Sequence, residues 1–158
     1  MIRSLFALAL AGGLTACHGS EAATNSPANG GDGKPGMAVA EARLVLPAVK
    51  GNPGAAYFNI FNGSDKELSL VAVAIEGAGK AELHDSNRGS MTKLDSVAIK
   101  PTWTQRLIPG SRHVMAFELD PKLVAGGETE MTLTFDDGDK LSAPLRIEAM
   151  GMDMEHDH

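Results

Sequence analysis

The sequence predicts an all-β domain, an antiparallel sandwich or barrel, and three observations predict it. From about residue 38 to residue 149 the apolar residues fall in short runs divided by Gly, Pro, Asn and Asp clusters. Met131-Thr132-Leu133-Thr134-Phe135 alternates apolar and polar strictly, the period of a strand with one wet face. No stretch repeats its apolar residues at helical spacing over a useful length. About 110 residues of this kind suffice for one core without disulfides.

Residues 1–16, MIRSLFALALAGGLTA, hold one cation, Arg3, followed by a short apolar run. That is the organisation of a signal peptide, too short to span a bilayer as a stable helix. The run closes on Leu14-Thr15-Ala16-Cys17, which resembles the lipobox of bacterial lipoproteins. In that class the cysteine becomes the new N-terminus and carries the lipid, and several acyl chains give stable anchoring. Cys17 is the chain's one cysteine, so no intrachain disulfide forms and the domain offers no thiolate. Residues 17–37 are polar and rich in Gly, Ser, Asn and Pro, which predicts a flexible tether. Its root-mean-square span is about 25 Å, from about 5–6 Å × √n. His18 lies in it as a solvated residue.

Nine strands are expected over residues 38–149. Residues 42–47 form the first, closed by the Gly51-Asn52-Pro53-Gly54 turn cluster, and residues 55–61 the second. Residues 68–75 make an apolar run, as expected for a strand buried on both faces. Residues 81–84, 93–99, 102–107 and 113–119 follow, with Pro109-Gly110 between the last two. Residues 131–135 and 141–147 pair through the turn at Asp136-Asp137-Gly138-Asp139.

Charge narrows the partners. The formal charge of −6 becomes −7 when residues 1–16, with Arg3, are removed. An acidic domain without clustered cations is not built for nucleic acid, nor for electrostatic adhesion to anionic lipid. No nucleophile elbow, phosphate loop, zinc signature or carboxylate pair stands out, so an enzyme is not expected.

One constellation carries a specific chemistry: His84, Met91, His113 and Met115. Two imidazoles and two thioethers form a soft, uncharged set that suits Cu(I) better than zinc, calcium or magnesium. In a strand, His113 and Met115 share a face and Val114 points the other way. His84 and Met91 flank the polar loop 85–90, and residues flanking a hairpin loop face each other at roughly 5 Å. A blue-copper electron carrier would need a cysteine beside two histidines, and the domain has none.

The order of these motifs resembles the periplasmic PCu(A)C-type copper chaperones, whose pattern is H-(M)-x10-M-x21-H-x-M. Met91, 21 residues, His113, one residue and Met115 reproduce its second half. Pro53-Gly54-Ala55-Ala56-Tyr57, Asn62, Ala81-Glu82-Leu83-His84, residues 99–101 and Pro109-Gly110 also resemble landmarks of that family. The likeness covers about residues 42 to 136. It departs between His84 and Met91, where six residues stand in place of about ten or eleven and Asp85 follows the histidine. The resemblance implies a cupredoxin-like, Greek-key β-sandwich over residues 38–149 that binds Cu(I). It implies delivery to a copper protein, a respiratory oxidase subunit or another copper chaperone, from the periplasmic side of a bacterial membrane.

Residues 150–158, MGMDMEHDH, place Met150, Met152, Met154, His156 and His158 on alternate positions. This tail is expected to be disordered and to form a second copper site. The interleaved carboxylates would also admit Cu(II). The competing reading is a metal-free, lipid-anchored β-sandwich that serves protein interaction.

Overall fold

The computed structural model describes residues 34–87 and 89–151. The expected signal peptide, Cys17, residues 18–33 of the tether and Met152, Met154, His156 and His158 of the tail lie outside the described residues. Ten strands are present: β1 Met37–Leu46, β2 Gly54–Asn62, β3 Leu68–Ile75, β4 Ala78–Asn87, β5 Ser90–Lys93, β6 Val97–Ile99, β7 Trp103–Leu107, β8 Arg112–Leu119, β9 Glu128–Phe135 and β10 Lys140–Ala149.

Alternation sets which side chains enter the core. Along β2, Ala56, Phe58, Ile60 and Asn62 point inward while Ala55, Tyr57, Asn59 and Phe61 point out. Met131, Leu133 and Phe135 do the same on β9. Each large side chain buried this way contributes roughly 1.5–3 kcal/mol. The strands join in the order β5-β4-β8-β2-β1-β10-β9-β3-β6, with β7 added to β2. β2 divides the path: Gly54 to Ala56 pair with β8, and Phe58 to Asn62 pair with β7. The result is an all-β, cupredoxin-like β-sandwich around a single core.

Four expectations need correction. The pairing is not wholly antiparallel, because β1 and β10 run parallel from Arg43↔Arg146 to Leu46↔Ala149. A parallel pair needs a long crossover, and here nearly the whole domain is that crossover. β3 is buried on one face only: Leu70, Val73 and Ile75 are inside, and Val71, Ala72 and Ala74 are exposed. Its outward positions are small and apolar rather than polar, and a bulge between Leu70 and Ala72 shifts its phase. Residues 93–99 are not one strand. β5 pairs with β4 and β6 with β3, at opposite ends of the sheet path, so the chain changes layer at residues 94–96.

The domain also begins earlier than the expected boundary at residue 38. Met37 is the first residue of β1, buried and opposite Asn62. Lys34 is ion-paired with Asp137 and Asp139 in the β9–β10 turn. The fold therefore begins by residue 34.

Candidate metal site

The site is built on the outer face of the β4–β8 pair. Val114 and Ala116 are fully buried in the core, so His113 and Met115 project from the other side of β8. The register sets His84 directly across from His113 and Glu82 across from Met115. The two imidazole centroids are 6.2 Å apart. His84, His113 and Met115 thus share one face of two adjacent strands. His113 is only 4% exposed although it points away from the core. Tyr57 packs beside it at 6.2 Å between ring centroids, and the Arg43 guanidinium lies 5.3 Å from the Tyr57 ring.

Met91 is placed differently from the expectation. β4 does not end at His84 but continues to Asn87, and β5 returns at Ser90. Residues 88 and 89 alone separate the strands, with Gly89 at a φ of 84°, a conformation open to glycine without strain. Pairing therefore extends through the stretch expected to be loop. Lys93, not Met91, faces His84, and Met91 faces Ser86 two pairs further out. It remains on the same face, diagonal to His84, and is 54% exposed.

Each imidazole has one nitrogen engaged. His113 Nδ1–H donates to the Ser111 carbonyl at 2.8 Å, which leaves Nε2 with the lone pair. His84 Nε2–H donates to Glu82 Oε2 at 3.3 Å. The other nitrogen of His84, Nδ1, is buried with no hydrogen-bond partner. An unsatisfied buried polar atom costs about 1–3 kcal/mol and is uncommon in folded proteins. Here it lies on the face shared with His113 and Met115.

Glu82 was not anticipated as part of this site. Its Oε1 accepts from Lys80 Nζ at 2.7 Å and from Lys93 Nζ at 2.8 Å. Lys80 first, then Lys93 and His84, hold its carboxyl down at about 2, from an ordinary 4.5. The stability this adds is complete above pH 4.5 and is lost as pH falls through about 2. The signal was available in the sequence, since Glu82 precedes His84 by two residues and so shares its face. Tyr57 had no such signal, because its approach to His113 depends on the β2–β8 register.

Among the described residues no three His, Cys, Asp or Glu side chains converge as a metal cage. On the face shared by β4 and β8 stand two imidazoles and the Met115 thioether.

Residues 37–147 match the family described as "Putative lipoprotein LpqE-like". The chain belongs to that family. Its domain is of the PCuAC type and has a copper-chaperone fold. Among curated proteins it is 32% identical over 98 residues to the uncharacterized protein RP573 of Rickettsia prowazekii. The match spans 59% of this chain and 54% of that one, so it covers about half the length of the relative. Among solved structures, the apo PCuAC domain from PmoF1 is 28% identical with a TM-score of 0.64, covering 75% of this chain and 97% of that one. The copper-bound PCuAC domain from PmoF2 gives 0.63 at 19% identity, covering 72% and 93%. The solution structure of CuI-DR1885 from Deinococcus radiodurans gives 0.61 at 24% identity, covering 75% and 82%. The last two likenesses are of fold.

Proposed function

We propose that this protein is a periplasmic copper chaperone, tethered to a membrane by lipid on Cys17. It holds Cu(I) with His84, His113 and Met115, joined by Met91, and yields the ion to a copper-accepting protein such as a respiratory oxidase subunit. The observation that carries the reading is the cross-strand His84–His113 pair. It has a buried, partnerless nitrogen on His84 and a thioether on the same face. Neutral imidazole and thioether donors suit the monovalent ion, which needs no anionic ligand. A thiolate-free site also resists disulfide chemistry in an oxidising compartment. Support comes from copper-bound domains of like fold, and for the anchor from the family's description as lipoproteins.

The tail, from Met150 to His158, is a second binding segment, able to take Cu(II) through imidazole and carboxylate before the domain keeps Cu(I).

The test is an anaerobic competition titration against a chromogenic Cu(I) chelator. The domain is expected to withhold one tight equivalent, and the His84→Ala/His113→Ala double variant none. A chain ended at Ala149 should keep that equivalent and lose Cu(II) uptake, and Cys17→Ser should release the protein from membranes. No tight Cu(I) in the parent would leave the metal-free interaction module as the better account.

A further inference from the structure

We propose that Glu82 is a positioning residue that selects which nitrogen of His84 meets copper, so that the two histidines bind through different ring atoms. His84 would bind through Nδ1 and His113 through Nε2. The inference rests on the copper reading of the same site and assigns a residue outside the ligand set.

Glu82 Oε1 is occupied by two ammonium groups, Lys80 at 2.7 Å and Lys93 at 2.8 Å. That pins the carboxylate from two directions and leaves Oε2 to His84 Nε2 at 3.3 Å. An ionised carboxylate only accepts hydrogen bonds, so Nε2 must carry the proton. A neutral imidazole has one proton, and Nδ1 therefore presents its lone pair. The same atom is buried without a partner. A hydrogen on that atom would find no acceptor, which matches the tautomer with its hydrogen on Nε2.

The backbone does the corresponding work at His113. Ser111 accepts from its Nδ1 at 2.8 Å, which frees Nε2. The two rings stand opposite each other with centroids 6.2 Å apart. One ring is oriented by a carboxylate held between lysines and the other by a main-chain carbonyl. Partners of this kind fix tautomer and ring angle at metal sites, and their loss lowers affinity roughly 10–100-fold.

The lysines have a second part in this arrangement. Lys93 is directly across the strand pair from His84 and binds Glu82 rather than the imidazole. With both ammonium groups on Oε1, Glu82 is held as an outer partner and is not free to swing in as a hard oxygen ligand. The donor set facing copper stays soft.

The test is long-range 1H–15N correlation of the histidine rings, in the full chain, before and after one equivalent of Cu(I). The apo protein is expected to show His84 protonated on Nε2 and His113 on Nδ1. Copper should then move His84 Nδ1 and His113 Nε2. In Glu82→Ala, His84 should become a tautomer mixture and Cu(I) affinity should fall roughly 10–100-fold, with His113 unchanged. His84 protonated on Nδ1 in the parent, or copper shifts at His84 Nε2, would overturn this inference alone. An unaltered His84 tautomer in Glu82→Ala would do the same. Absence of any copper shift on either ring would instead bring down the copper reading, and this inference with it.

Discussion

Asn62→Asp is expected to destabilise the domain by about 3–5 kcal/mol at neutral pH, the range for an uncompensated buried charge. Asn62 is fully buried at the end of β2. Its amide donates to the Lys66 carbonyl at 2.8 Å and to the Ile99 carbonyl at 3.0 Å. Its oxygen accepts from the Ser64 amide at 3.0 Å and the Ser64 hydroxyl at 2.7 Å. One side chain thus joins β2, the following turn and β6, where the two layers of the sandwich meet. Aspartate has nearly the same shape and keeps the accepted bonds. It turns both donated bonds into oxygen facing oxygen. The carboxyl would resist ionising, so its folded pKa would lie above the unfolded value of about 3.9. The sign follows: the loss is smallest below that value, where the protonated acid can donate one bond, and grows as pH rises through the folded pKa. Urea unfolding at about pH 3 and at pH 7 measures it. Equal losses at the two pH values would mean the amide donors are not what the fold requires. With a domain of this size stable by only about 5–15 kcal/mol, the expected loss is a large share of the total.

The sandwich was legible because one-sided burial writes itself as alternation, and β9 shows this without exception. Illegible features were those set by distant parts of the chain. The parallel β1–β10 pair joins residues about a domain apart, and nothing local in either strand marks direction. β3 misled because Val71, Ala72 and Ala74 are apolar yet exposed, and small apolar residues tolerate a wet face that composition alone reads as dry. The layer change at residues 94–96 was hidden because only Asp95 and Ser96 stand between Leu94 and the apolar Val97-Ala98-Ile99, too short a break to read as a change of layer. Met37 looked like linker because a glycine-rich segment precedes it, although it is 6% exposed.

At the site, period two was enough to put His113 and Met115 on one face and Val114 on the other. It could not supply the partner strand. His84 across from His113 is a matter of register, which the pleat makes all-or-none: a slip by one residue would send His84 into the core and Leu83 outside. Asp85, Ser86 and Asn87 read as loop in the sequence because they are polar. In the fold they continue β4 against β5, whose four residues are all exposed. Polar residues are at home on an edge strand that never meets the core.

The difference between the inner strand β8 and the exposed edge strand β5 fixes the ranking of the ligands. His113→Ala is expected to lower Cu(I) affinity at least about a hundredfold, more than the loss of an orienting partner alone, whereas Met91→Ala should cost tenfold at most. His113 is buried, held by Ser111 and flanked by Tyr57 and His84, so almost no freedom remains to be lost when it ligates. Met91 starts from solvent on an exposed edge strand, opposite Ser86. Ordering a methionine costs about 1.5–2 kcal/mol of side-chain entropy. A tenfold affinity change corresponds to about 1.4 kcal/mol, so that ordering offsets much of what the thioether contributes. The same looseness makes Met91 the ligand an incoming acceptor can displace first, since the buried histidine cannot leave without disturbing β8. Titration should therefore separate the two variants by at least a decade. Stopped-flow transfer to the chelator should show Met91→Ala releasing copper faster while still binding it. Equal affinity losses for the two variants would mean that copper draws β5 inward and orders Met91 as fully as His113.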